Sequence, residues 1–219
     1  MRGTIARRMH DSLTQMAQLT LFMDADLDAV VADREQRKAA GTAPSYTDYV
    51  IAAAGRALVR HPVVISQVTD DGVALLPSVH VGMAVALDWG LIVPVIRNAE
   101  TLTLAEIAVK ANDLADRART KKLSPDEVQG GTFTITNPGV FGGLYGTPII
   151  NQPQVAILCV GTIEKRAKVM TSPDGDDYIA IRQMAYFALT YDHRVVDGAD
   201  AEKFLAYLKG YLESAPFTI

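Results

Sequence analysis

The sequence predicts an α/β sandwich built on a mixed or antiparallel sheet with helices packed against it. Three observations carry that expectation. Amphipathic helical stretches occur at residues 45–60 and 103–118. The strand-like stretches come as neighbours at 79–87 and 91–96, and as a hairpin around Pro173-Asp174-Gly175. Regular βαβ alternation is absent, which disfavours a doubly wound fold.

In chain order, residues 3–16 read as a helix, 18–24 as an extended stretch and 27–40 as a polar helix, followed by a loop at 41–44. In 45–60, Val50, Ala53, Ala54, Ala57 and Leu58 recur at helical spacing. Ser45 and Asp48 have the spacing of a capping box, and Pro62 bars continuation. Residues 79–87 give the clearest strand. Val79, Val81, Met83, Val85 and Leu87 take one face, and His80, Gly82, Ala84 and Ala86 the other. The small-residue face should let a backbone or a ligand approach closely. Residues 91–96 read as a second strand, with Pro94 marking an edge or bulge.

Thr103 opens the next helix with Glu106 as its capping partner, and Leu104, Ile107, Ala108, Ala111, Leu114, Ala115 and Ala118 form its buried stripe. Ser124-Pro125-Asp126-Glu127 starts a short helix that Gly130-Gly131 ends. Strands follow at 132–137 and 154–163. The Pro173-Asp174-Gly175 turn has flanking strands that lead to another at 184–191. A last helix starts near Asp200 and presents Ala201, Phe204, Leu205, Leu208 and Leu212 inward.

Hydrophobic residues make up 49% of the 219 residues and charged residues 21%, enough apolar content for a sizeable core. The net charge of −4 makes nucleic acid an unexpected partner. The longest apolar runs are far too short to cross a membrane. No apolar signal-type stretch follows Arg2, Arg7 and Arg8, so the expected location is cytoplasmic, or the mitochondrial matrix if the source is eukaryotic. The single cysteine, Cys159, lies in the apolar run AILCVG. It reads as a core thiol, with no neighbouring charge to stabilise a thiolate and no partner for a cysteine metal cluster. No Gly-rich phosphate loop opens a helix after a strand.

Two stretches could carry chemistry. In Tyr191-Asp192-His193-Arg194-Val195-Val196-Asp197-Gly198, a histidine stands at the mouth of an apolar strand. Histidine titrates near neutrality and can take and return a proton. The H-x-x-x-D-G spacing equally fits a loop histidine and a helix-capping aspartate. In Gly131-Thr132-Phe133-Thr134-Ile135-Thr136-Asn137-Pro138-Gly139, three threonines share one strand face. They read either as a solvated face, which threonine suits, or as a hydroxyl at the strand end that donates to an oxyanion. The Gly-rich loop at 139–146 would then leave room for substrate. Periodicity does not separate these readings.

The runs YDHRVVDGADAEKFL, GTFTITNPGVFGGLYGTPIINQPQVAILCVGTIEKR and GLIVPVIRNAETLTLAEIA, with the opening RGTIARRM, resemble the acyltransferase component of the 2-oxo-acid dehydrogenase complexes. The resemblance runs from Arg2 to about Glu213 and makes residues 1–219 an acyltransferase catalytic core domain. It implies the chloramphenicol-acetyltransferase-like sandwich, a mixed sheet flanked by helices. It also implies a chain read as an excised core, with the lipoyl and subunit-binding domains absent from it.

The implied reaction moves an acyl group between a dihydrolipoyl thiol and coenzyme A, with both as substrates and no metal. The lipoate is carried on a domain outside this chain. By motif, His193 matches the family's catalytic histidine, Asp197 its aspartate, and Thr136 the Ser or Thr that hydrogen-bonds the tetrahedral oxyanion. In the family, His and Ser/Thr of one site come from adjacent subunits. A homotrimer is therefore implied, then a 24-subunit cubic core, with the decarboxylase and dihydrolipoamide dehydrogenase components as partners. GVFGGLYGTPIINQPQ resembles the succinyl-transferring members more than the acetyl or branched-chain ones.

Two departures stand out. Residues 63–68 lack the family's usual Asn-Ala before an aromatic residue, and residues 213–219 are shorter and less leucine-rich than the tail that helps join trimers. Asp197 has two readings, orienting His193 or holding its loop through an arginine, and the second is favoured with Arg2 or Arg7 as partner. His10 and His61 read as surface or packing residues, and His80 is the remaining histidine to follow. Competing functions are acetyl transfer to a small hydroxyl acceptor and a non-catalytic assembly scaffold.

Overall fold

The computed structural model describes residues 2–214 and Phe217. The chain runs through α1 (Arg2–Gln15), β1 (Gln18–Asp26), α2 (Asp28–Ala39), α3 (Tyr46–Arg60), β2 (Gln67–Thr69) and β3 (Gly72–Ala74). It continues through β4 (Val81–Met83), β5 (Val85–Leu87), β6 (Gly90–Ile92), β7 (Val95–Ile96), α4 (Leu104–Arg119) and β8 (Phe133–Thr136). It ends with β9 (Ala156–Val160), β10 (Glu164–Thr171), β11 (Asp177–Asp192) and α5 (Gly198–Ser214).

One seven-stranded sheet dominates, in the order β1-β11-β9-β8-β4-β7, with β10 also paired to β11. The β4–β8 and β8–β9 pairs are parallel and the rest antiparallel, so the sheet is mixed as expected. Two small hairpins, β2–β3 and β5–β6, stand apart from it.

Strand alternation divides the two faces of the sheet. Ala156, Leu158 and Val160 of β9 and Phe133 and Ile135 of β8 join the main core, together with residues of α2, α3, α4 and α5. Ile157, pointing the other way from β9, clusters with Met16 and Ile150. The second face is therefore covered by the end of α1 and the loop before β9. The helices form where the sequence places them. Ser45 and Thr103 each close a capping box, with Asp48 and Glu106. Ala201, Phe204, Leu205, Leu208 and Leu212 are the buried residues of α5.

Three sequence expectations need correction. Residues 79–87 are not one strand. The chain leaves the main sheet at Ala84, whose N–H goes to Ile135 O at 2.9 Å, and β5 pairs with β6 instead. The alternation is correct, but which neighbour a strand joins is a long-range property. Residues 91–96 break in the same way between β6 and β7, next to Pro94, which has no N–H for a ladder. β7, which starts just after Pro94, is then the edge of the sheet. Finally, the hairpin strand and 184–191 are one continuous β11 of 16 residues. The small-residue face is approached from within the chain, since a Cβ on Gly82 would lie 2.8 Å from Val93 Cγ1.

Candidate active site

His193 sits in the turn between β11 and α5. The turn is held by Asp192, the last residue of the strand, whose side chain is fully buried. The Asp192 N–H donates to Val155 O (2.8 Å), and its carbonyl accepts from the Val195 and Val196 N–H groups (3.0 Å each). Its carboxylate receives Arg194 Nη2 at 2.6 Å, Nε at 3.0 and 3.1 Å, and the Arg194 backbone N–H at 3.1 Å. Burial pushes the Asp192 carboxyl up, but the hydrogen bonds from Arg194 outweigh it and hold the group below the usual carboxylate range.

The His193 backbone N–H donates to Ala17 O at 2.8 Å, which ties the turn to the α1–β1 junction. The residue itself is exposed. Its ring packs against Tyr191 with centroids 5.6 Å apart. The Tyr191 hydroxyl is buried without a hydrogen-bond partner among the described residues. Burial, then the nearby acids Glu202 and Asp197, push its pKa up.

Asp197 is exposed, and its carbonyl accepts from the Asp200 and Ala201 N–H groups (3.1 and 3.0 Å) at the start of α5. Among the described residues its carboxylate forms no ion pair, with Arg2, Arg7 or any other cation. An aspartate–arginine pair does hold this turn, but it is Asp192 with Arg194. Sequence reasoning passed over both, although the signal was there: opposite charges flank the histidine at i−1 and i+1.

Thr136 ends β8 on the face opposite the main core, half-buried and level with Cys159 of β9. Two cavities meet at it. One, of about 400 Å³, is lined by Ser45, Thr47, Asn112, Arg119 and Phe141 among others. The other, of about 570 Å³, is lined by Ile5, Arg8, Met9, Thr147 and Ile149 among others. Thr136, Ala84 and Leu91 belong to the walls of both. The next residue, Asn137, donates from Nδ2 to Thr47 Oγ1 at 2.9 Å and so anchors the strand end to α3. The loop beyond it lies on bare backbone. A Cβ on Gly139 would come within 2.5 Å of Gly161 C and O, and one on Gly161 would collide with the Leu144 carbonyl oxygen.

The chain brings His193 and Asp197 into one turn but keeps Thr136 away from them. Thr136 and Ala188 both align with Cys159, and His193 follows Ala188 by five residues along β11 and beyond. With strands about 4.8 Å apart and about 3.3 Å per residue, the two sites are about 19 Å apart, far beyond a shared hydrogen bond.

The remaining histidines and the cysteine lie outside the walls of both cavities at Thr136. His80 Nδ1 accepts from the Asn98 N–H at 3.1 Å. His61 ends α3 and packs edge-on against Phe204 and Tyr207, with burial pushing its pKa down. His10 is exposed. Cys159 is buried and its thiol is pushed up by burial, which suits a packing residue.

The chain is 41% identical over 218 residues to the dihydrolipoyllysine-residue succinyltransferase component of the 2-oxoglutarate dehydrogenase complex of Bartonella vinsonii subsp. berkhoffii, covering 97% of this chain and 52% of the relative. It is 43% identical over 223 residues to the acetyltransferase component of the pyruvate dehydrogenase complex of Corynebacterium glutamicum, covering 99% of this chain and 33% of the relative. It thus spans about half or less of the length of the curated relatives it matches.

A solved structure of a probable dihydrolipoamide acetyltransferase from Listeria monocytogenes superposes with a TM-score of 0.91 at 34% identity, covering 97% of this chain and 91% of that one. The cubic core of a pyruvate dehydrogenase multienzyme complex gives 0.89 at 35% identity, with 98% and 88% covered. Chloramphenicol acetyltransferase, at 17% identity and a TM-score of 0.59 over 94% of each chain, shares the fold. The family of 2-oxoacid dehydrogenases acyltransferase (catalytic domain) matches residues 1–218, and this chain belongs to it.

Proposed function

We propose that this chain transfers an acyl group, succinyl ahead of acetyl or branched-chain, between a dihydrolipoyl thiol and coenzyme A. Succinyl rests on the GVFGGLYGTPIINQPQ run, and relatives of both the succinyl and the acetyl kind stand at similar identity. The observation that carries the reaction is the place of Thr136, in the wall common to two cavities. The thiol and the thioester substrates can then reach one hydroxyl through different cavities, and proximity supplies much of the rate.

A free thiol has a pKa of about 8.5, so little thiolate exists at neutral pH. His193 takes the proton of the attacking coenzyme A thiol as its sulfur adds to the acyl-lipoyl thioester. Charge builds on the carbonyl oxygen, where a hydrogen bond from the Thr136 hydroxyl is worth about 3 kcal/mol. The carbon–sulfur bond to the lipoyl group then breaks, and His193 returns the proton to that sulfur. One thioester replaces another, with no metal and no covalent enzyme intermediate.

The distance between His193 and Thr136 within one chain favours a site completed by a second copy. The working unit in this reading is a homotrimer, with a 24-subunit cubic core as its larger assembly. Likeness to the cubic core of a pyruvate dehydrogenase complex supports that assembly. The decarboxylase and dihydrolipoamide dehydrogenase components are the partners, and lipoate arrives on a domain outside residues 1–219. Assay with succinyl-, acetyl- and isobutyryl-coenzyme A and dihydrolipoamide tests the proposal. Fastest transfer from succinyl-coenzyme A is expected. A faster acetyl reaction overturns the acyl preference, and transfer from none of the three overturns the function.

A further inference from the structure

A general base works only if its ring is held in place. The His193 ring makes no hydrogen bond to any described residue, so its position depends on the backbone that carries it and on Tyr191 packed beside it. That backbone is fixed on both sides. Before it, Asp192 is buried with its N–H, its carbonyl and its carboxylate all engaged. After it, Arg194 reaches back across His193 and grips the same carboxylate through Nη2 and Nε. Between the two, the His193 N–H is taken by Ala17. Turning either peptide bond that flanks His193 breaks at least one of these contacts.

We propose that Asp192 and Arg194 are positioning residues for His193, a charged clamp that closes over a single residue and sets where its ring stands. The proposal rests on the reading of His193 as the general base. Burying a carboxylate is costly unless it is paired with good geometry, and here the pair encloses the residue at the centre of the reaction. The Arg194 side chain is about half-exposed, so it can be changed without opening the core. Misplacing a catalytic group by about 1 Å can cost about 100-fold in rate.

The test uses the purified assembled protein with Arg194→Met, Arg194→Lys and Asp192→Asn. Arg194→Met should lower kcat at least ~10-fold with KM for coenzyme A within about 2-fold. It should also move the acid limb of the kcat–pH profile upward. The unneutralised Asp192 carboxylate would then favour the protonated imidazole, while Asp197 of the same turn and Glu202 of α5 remain as they are. Asp192→Asn leaves Arg194 unneutralised and should move the limb downward. Arg194→Lys should recover part of both losses. Unchanged kcat and pH limb in Arg194→Met overturn the proposal. So does a loss of kcat that follows loss of assembly with the limb in place. His193→Ala, run in parallel, separates the two ideas: its retained activity would remove the base itself, whatever Arg194 does.

Discussion

His193 follows the end of β11 and Thr136 ends β8, two strands away in the same sheet, so the two stand about 19 Å apart. Neither can serve the other within a chain, so the proposed mechanism takes one residue from each of two copies. Mixing inactive His193→Ala subunits with inactive Thr136→Ala subunits should therefore restore part of the activity. Some interfaces would then join an intact histidine to an intact threonine. Absence of recovery after proven subunit exchange, or full activity in a stable monomer, would count against the shared site.

His193→Ala should lower kcat at least ~100-fold, the low end for a positioned general base. The side chain is exposed and carries no hydrogen bond among the described residues, so light-scattering mass should not change. Steady-state kinetics on the purified assembly checks both parts.

Thr136→Ala should lower kcat by roughly 100-fold and leave KM for coenzyme A nearly unchanged, since the oxyanion forms only in the transition state. A change confined to KM would make Thr136 a binding residue instead.

Gly161→Ala should destabilise the fold by about 1–3 kcal/mol, the cost of forcing extra volume into a packed site. The added methyl collides with the Leu144 carbonyl oxygen and must displace the loop after Thr136. Thermal unfolding measures the first effect, and kcat should fall with it.

Glu127 gives an acid-side prediction. The bidentate Arg117 guanidinium (2.6 Å to each carboxylate oxygen), helped by the Ser124 N–H at 2.9 Å, holds its pKa down at about 2. A depressed carboxyl stabilises the fold above its unfolded value, near 4.5, and loses that contribution as the pH falls toward 2. Glu127→Gln should therefore cost about 1 kcal/mol at pH 7. The gap to wild type should close between pH 4.5 and 2, as chemical denaturation across that range would show.

The legible parts of the sequence were those written in local chemistry. Ser45 with Asp48 and Thr103 with Glu106 announce two helix starts, and the α5 stripe from Ala201 to Leu212 is buried as its spacing demands. The break at Ala84 was not legible, because alternation fixes which face a residue takes and says nothing of the strand it joins. The candidate site divides in the same way. His193 and Thr136 stand out by motif, but the distance between them follows from strand order, and strand order is global. Asp197 was expected to hold its loop through an arginine, but it is exposed and makes no ion pair among the described residues. The buried acid is Asp192, one residue before the histidine, and its partner is Arg194.

The contact between Gly139 and Gly161 also bears on how such a domain can diversify. The loop carrying Val140, Phe141, Leu144 and Tyr145 is seated main chain to main chain, with the Thr162 N–H on Gly143 O at 2.8 Å. Val140 and Phe141 are largely exposed on the wall of the cavity of about 400 Å³, while Tyr145 packs edge-on against Phe22 and Tyr186. Anchoring thus falls to the main chain and Tyr145, and the chemistry facing the cavity to Val140 and Phe141. Exchange of Val140 and Phe141 can rewrite what the cavity wall presents to a substrate while the strand end at Thr136 stays where it is.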